Sequence, residues 1–115
     1  SGLGDGYNVV IHEMAHKLDG RNGVVDGCPP LPRTIAKSEW RAVFRAAYTD
    51  LRERANGIDR KRRWSRGARL PIDAYAAEHP SEFFAVACEY FFDAPLRLER
   101  AYPEVYALLS RFFAG

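Results

Sequence analysis

Two histidines with a glutamate between them are the residues of this sequence best suited to chemistry. Residues 12–16, His-Glu-Met-Ala-His, form an HExxH pentapeptide. On a helix, histidines four residues apart share a face and can bind one zinc ion, while the glutamate acts as general base. We therefore predict that His12 and His16 bind zinc and that Glu13 is the catalytic base. The alternative is a pair of exposed or hydrogen-bonded histidines that flank a glutamate by chance.

A catalytic zinc site needs a third protein ligand and an open fourth position. Metzincins place a third histidine in the same motif, but Asp19 and Asn22 occupy the positions of its glycine and histidine, which excludes that class. Glu82 is the best placed downstream donor, because a carboxylate is favoured in the first turn of the helix that Pro80 should begin. Glu89, two turns later on the same face, is either a hydrogen-bond acceptor for a ligating histidine or a surface glutamate. The other downstream candidates considered are Glu78, His79 and Glu99, with His79 interpreted as a loop residue.

Apolar residues recur with helical spacing around the HExxH motif. Residues 7–19 carry a stripe that we expect to be buried, formed by Tyr7, Val10, Ile11, Met14, Ala15 and Leu18. Asp5 is the expected N-cap of this helix, and Gly20 its C-terminal stop. Because both histidines fall away from the stripe on a helical wheel, one face can pack while the other binds metal.

Three further helices are expected in the rest of the chain. The first covers residues 38–56 and is ended by the glycine that follows it. The second runs over residues 80–92, and the third opens at Pro103, since proline favours the first helical position. Between them, Asp73 should cap a short helical turn through residues 75–78.

Two segments are predicted to be loops. Residues 20–35 are rich in glycine and proline, which excludes a helix and predicts a long surface loop. Residues 60–69 gather six basic side chains around Trp64 without an apolar period, which predicts a solvated loop. Nucleic-acid binding through this basic segment is a minor alternative.

Composition limits the remaining choices. The 115 residues suffice for one domain, residues 1–115, with 47% hydrophobic residues and a net charge of +2. That charge does not call for nucleic acid or an anionic membrane as partner. Two cysteines, Cys28 and Cys88, cannot form a multi-bridge framework, which favours a reducing, cytoplasmic location. The sequence opens without methionine directly before the HExxH helix, and we expect an N-terminal portion to be missing from it.

Two sequence blocks resemble the MtfA family of zinc peptidases, the Mlc titration factor group. They are residues 8–19 and residues 72–77 together with 80–86, and the similarity extends over about residues 6–113. The chain is also similar to the catalytic domain of anthrax lethal factor. The resemblance implies a mainly α, single zincin-like domain of the gluzincin type, with little or no sheet. One departure is Val86, which stands four residues after the predicted glutamate ligand, where thermolysin-like enzymes have an aspartate.

Carried over to this sequence, the resemblance implies one Zn²⁺ bound by His12, His16 and Glu82. It further implies that Glu13 is the catalytic carboxylate and that Tyr75 faces the reacting carbonyl, where a phenol could donate a hydrogen bond to the developing oxyanion. For Tyr75, a packed core tyrosine is the alternative. Family members have aminopeptidase-like activity on short substrates, and some bind a transcriptional repressor.

The function predicted from the sequence is therefore that of a zinc-dependent, aminopeptidase-like peptidase. Its expected partners are a peptide or amino-acid amide substrate and a regulatory protein, with no nucleic acid and no membrane. The alternative is a zinc-stabilised protein-binding module or inactive peptidase-like domain that contacts a transcriptional regulator.

Overall fold

Helices account for all the regular structure in the residues that the computed structural model describes, which are 8–23, 25–61 and 70–114. The α-helices are α1 (Val9–Asp19), α2 (Lys37–Lys61), α3 (Pro80–Asp93), α4 (Pro95–Ala101) and α5 (Pro103–Ala114), with 3-10 turns at Gly20–Asn22 and Ala74–Ala77. These ranges contain no β-strand. The predicted mainly α fold is confirmed.

Helix α3 is the central element of the fold. Residues 83–90 are buried without interruption, as expected for a helix that is hydrophobic all round. Each of the other four α-helices packs against it. Ala94 caps its C-terminal end and precedes Pro95, a position where the α conformation is disfavoured, so the chain turns there into α4. The side chains that α3 projects are thus held by neighbours on several sides.

Helix α2 contributes the large aromatic residues of the core. Trp40 is fully buried and stacks on Phe44 with ring centroids 4.4 Å apart. Phe84 of α3 and Phe112 of α5 lie against the same indole at centroid distances of 6.0 and 5.4 Å. This aromatic cluster joins three helices on the side of α3 that faces α2.

Several predicted boundaries differ from the structure. Helix α1 begins at Val9, and its N-cap is Asn8 instead of Asp5. Helix α2 continues past Gly57 to Lys61, although one glycine in a helix costs about 1 kcal/mol relative to alanine. Helix α4 was not predicted. The predicted end of α1 at Gly20, the predicted start of α5 at Pro103 and the cap at Asp73 are confirmed.

The predicted apolar stripe of α1 is only partly buried: Ala15 is buried, Ile11, Met14 and Leu18 are half-buried, and Tyr7 lies outside the described residues. Val10 is 77% exposed, and the residues that α1 buries are Ala15 and Asp19. His12 and His16 are themselves partly buried. The helix turns its polar, histidine-bearing face toward α3, so the expectation that the histidines lie away from the packed face is wrong.

The segment after α1 is also more deeply packed than a surface loop. Cys28, Pro29 and Ile35 are buried there. Of the predicted basic segment, residues 60 and 61 end α2, and residues 62–69 lie outside the described part of the chain. No helix in the described part is long and apolar enough to cross a membrane.

Candidate metal centre

Helix α1 places His12 and His16 side by side. The Asn8 carboxamide oxygen caps the helix by accepting a hydrogen bond from the Ile11 amide at 3.2 Å. One helical turn then separates the two imidazoles, whose ring centroids are 4.8 Å apart. Their Nε2 atoms lie 3.2 Å from each other and therefore point to a common position.

Helix α3 brings Glu82 to the same position. His79 is the N-cap of α3, with its Nδ1 accepting a hydrogen bond from the Ser81 amide at 3.1 Å, and Pro80 occupies the first turn. Glu82 follows in that turn, and its Oε1 lies 3.0 Å from His12 Nε2 and 3.1 Å from His16 Nε2. The three residues predicted as ligands are thus brought together. Among the described residues, they form the one group of three or more His, Cys, Asp or Glu side chains able to share an ion.

The chemistry of this group fits a divalent cation. Four tetrahedral zinc bonds of about 2.0–2.2 Å place the ligand atoms about 3.3 Å apart, close to the observed separations. Moreover, a neutral His12 whose Nδ1 carries the proton has only a lone pair on Nε2, facing the acceptor Oε1 of Glu82 at 3.0 Å. Two acceptors so close repel each other unless a cation or a proton lies between them.

Glu89 fixes the orientation of His12. Its Oε2 lies 2.5 Å from His12 Nδ1, and its Oε1 accepts a hydrogen bond from the backbone amide of Asn8. Because Glu89 is only 1% exposed, the surface alternative is wrong. Burial raises the pKa of its carboxyl, and the contacts with His12 and Asn8 oppose that rise. The residue one helical turn after Glu82 is Val86, which has no carboxylate. The carboxylate that contacts His12 comes instead from Glu89, two turns after Glu82.

The two predicted catalytic side chains lie outside the group of three. Glu13 is exposed and directly follows His12 on α1. Tyr75 belongs to the 3-10 turn, where the Asp73 carboxylate accepts from its backbone amide at 2.9 Å. Its ring centroid is 6.0 Å from that of His12, and the residue is 50% exposed, so the packed-core alternative is wrong.

The sequence interpretation missed the buried Asp19. This residue is completely buried, and its two carboxylate oxygens accept hydrogen bonds from the amides of Asp26 at 3.2 Å and Gly27 at 2.8 Å. Burial raises the pKa of Asp19, and these two amides oppose the rise. A signal was available, because Asp19 shares a helical face with His12 and Ala15.

Comparison with known proteins agrees with the geometry. The family model described as glucose-regulated metallo-peptidase M90 matches residues 2–114. Proteins named Mlc titration factor A are similar to the chain over 110 residues: that of Edwardsiella ictaluri is 46% identical, and that of Serratia proteamaculans 42%. Each alignment covers 94% of this chain but 39% and 38% of the relative. The chain therefore spans about two fifths of the length of these curated relatives.

Proposed function

This chain belongs to the glucose-regulated metallopeptidase M90 family, and from that membership we propose that it is the catalytic core of a zinc-dependent, aminopeptidase-like peptidase. The observation that carries the proposal is the convergence of three donor atoms from α1 and α3 within 3.0–3.2 Å of one another. We assign His12, His16 and Glu82 as ligands of one Zn²⁺. A zinc ion bound there would act as a Lewis acid that polarises a carbonyl and makes a water molecule more acidic.

Glu13 is assigned the proton transfers. Glu13 is exposed and directly follows His12 on α1, and none of the ion pairs among the described residues includes it, so its carboxylate is available to a water molecule. In peptide hydrolysis it would take a proton from the attacking water and pass it to the leaving amine. Its place on α1, directly after His12, whose ring contacts Glu89, supports this assignment.

Tyr75 is assigned the stabilisation of the oxyanion. The Asp73 cap holds its backbone, and the ring faces His12 from the edge of the centre. A phenol at that edge can donate a hydrogen bond to the oxygen that gains charge in the transition state. For the cellular setting we propose the cytoplasm, because two cysteines cannot form the multi-bridge framework of a small secreted domain.

The variant Glu13→Gln tests the proposal directly. It keeps all three ligands but removes the base, so zinc should stay bound while hydrolysis of fluorogenic amino-acid amides and dipeptides is lost. Glu53→Gln is the matched control, because Glu53 is also an exposed helical glutamate and belongs to α2. Turnover by Glu13→Gln equal to that of the control would refute the assignment.

A protein-binding module is the second candidate, favoured by the name of the relatives. Those proteins are called Mlc titration factor A. As the second candidate, we therefore propose that this chain contacts a regulatory protein. In that case zinc would support the fold without turnover. The same amide substrates, tested with and without a chelator, separate the two candidates, since only a peptidase shows chelator-sensitive hydrolysis.

A further inference from the structure

The segment that follows α1 contacts both helices that carry the proposed ligands, α1 and α3. Asp19, the last residue of α1, accepts hydrogen bonds from the amides of Asp26 and Gly27. The carbonyl oxygen of Gly27 in turn accepts a hydrogen bond from Trp40 Nε1 at 2.9 Å. Asp19, Gly27 and Trp40 are all buried. We refer to these three residues as the loop clamp.

Gly27 of the loop clamp lies directly against the start of α3. Its φ of +87° is in the left-handed region, and a Cβ atom built on it would lie 2.7 Å from the carbonyl oxygen of Pro80. Real side chains do not tolerate that approach, so the contact requires glycine. Pro80 begins α3, and Glu82 is the second residue after it.

We propose that the loop clamp is a positioning device for the metal centre, which sets the distance between the histidines of α1 and Glu82 of α3. The proposal rests on the proposed function, because it assumes that these residues bind zinc. Asp19 lies one helical turn after His16, and Gly27 lies against Pro80, so the clamp joins the ligand-bearing end of one helix to that of the other. Its members would act by positioning the ligands, since none of them belongs to the group of His12, His16 and Glu82.

The expected effect follows from how strictly zinc requires its ligand distances. A metal site is productive only when its ligands are held within about 0.5 Å of the required geometry. Residues that orient ligands typically change metal affinity by about 10- to 100-fold when they are mutated. We therefore expect loss of the loop clamp to weaken zinc binding by about tenfold or more, beyond any loss of folded protein.

Gly27→Ala and Gly23→Ala form a matched pair for the test. Gly23 has a φ of +83°, so alanine meets the same backbone strain there, but a Cβ at Gly23 meets no atom within 4 Å. Both variants bear the cost of a left-handed alanine, and only Gly27→Ala pushes against Pro80. We expect a zinc affinity at least tenfold weaker in Gly27→Ala and within about twofold of wild type in Gly23→Ala.

Asp19→Asn and Asp50→Asn form a second pair. Asparagine offers one oxygen, so at position 19 it cannot accept from both amides with separate oxygens. Asp50 also accepts two hydrogen bonds, from Tyr102 Oη and Arg54 Nε at 2.8 Å each, but it lies on α2 outside the centre. We expect the zinc affinity to fall at least tenfold in Asp19→Asn only.

The measurement is competition for zinc against a chromophoric chelator, with the folded fraction of each chain determined by circular dichroism and urea titration. Equal affinities in Gly27→Ala and Gly23→Ala would overturn the loop clamp while leaving the zinc site intact. A loss of affinity explained entirely by unfolded protein would overturn it as well. If the wild-type chain bound no zinc, the proposed function itself would fail and the loop clamp with it.

Discussion

Glu89→Gln tests whether a buried carboxylate sets the tautomer of His12. In the wild-type chain Glu89 accepts from His12 Nδ1 and from the Asn8 amide with different oxygens. Glutamine has the same size but only one acceptor oxygen and an NH2 group. If that oxygen stays with Asn8, the NH2 faces Nδ1 and moves the proton to Nε2, the atom that must be bare to bind metal. If the amide turns over, the NH2 meets the Asn8 amide, and two donors face each other.

The size of the effect follows from the burial of this contact. Loss of a hydrogen bond to a buried charged group costs about 1.5–3 kcal/mol. The metal-free histidine can adopt either tautomer, whereas the metal-bound histidine needs a bare Nε2, so most of this cost falls on the bound form. Since about 1.4 kcal/mol is a factor of ten, we expect zinc to bind about 10- to 100-fold more weakly.

Chelator competition measures the zinc affinity of Glu89→Gln, and circular dichroism checks its fold. Glu99→Gln is the control, because it makes the same chemical change at an exposed glutamate of α4. An affinity of Glu89→Gln within about twofold of both wild type and Glu99→Gln, with the helices intact, would refute the reasoning about the tautomer.

Three further substitutions extend the test. Glu82→Ala removes one of three ligands and should leave little zinc on the purified chain; unaltered zinc content by atomic emission would contradict its assignment as the third ligand. Tyr75→Phe removes only a hydroxyl and should lower kcat about 100-fold with KM little changed, whereas an unchanged kcat would exclude the oxyanion role. Leu109→Ala opens a cavity at a completely buried site of α5 and should lower the free energy of unfolding in urea by about 2–5 kcal/mol. The zinc affinity of its folded fraction should stay that of wild type, and a large drop would show that the centre depends on general packing.

The elements around the centre could be predicted because local chemistry defines them. Proline at the first position marked the starts of α3 and α5, and a side-chain cap marked the turn that carries Tyr75. The HExxH spacing alone placed His12 and His16 on one helical face. The place of Glu82 in the first turn of α3 favoured it as the third ligand. Its distance from the two histidines could not be read from the sequence.

The rest depended on tertiary contacts that leave little local trace. The polar face of α1 packs against α3, which no apolar stripe could indicate, and Val10 remains exposed as a result. Helix α4 has seven residues, too few for a periodic pattern. The hydrogen bonds of Asp19 come from amides seven and eight positions later in the chain, and such pairings cannot be read from spacing.

The proposed metal ion would also stabilise the packing of α1 against the rest of the fold. Among the described elements, α1 packs only against α3 and the adjoining 3-10 turn. An ion held by both His12 and Glu82 would cross-link positions 70 residues apart. By the chain-entropy relation for a cross-link, closing a loop of that length is worth about 4 kcal/mol. Chelation should therefore make the amides of α1 the first to exchange with deuterium, while the amides of the remaining helices stay protected.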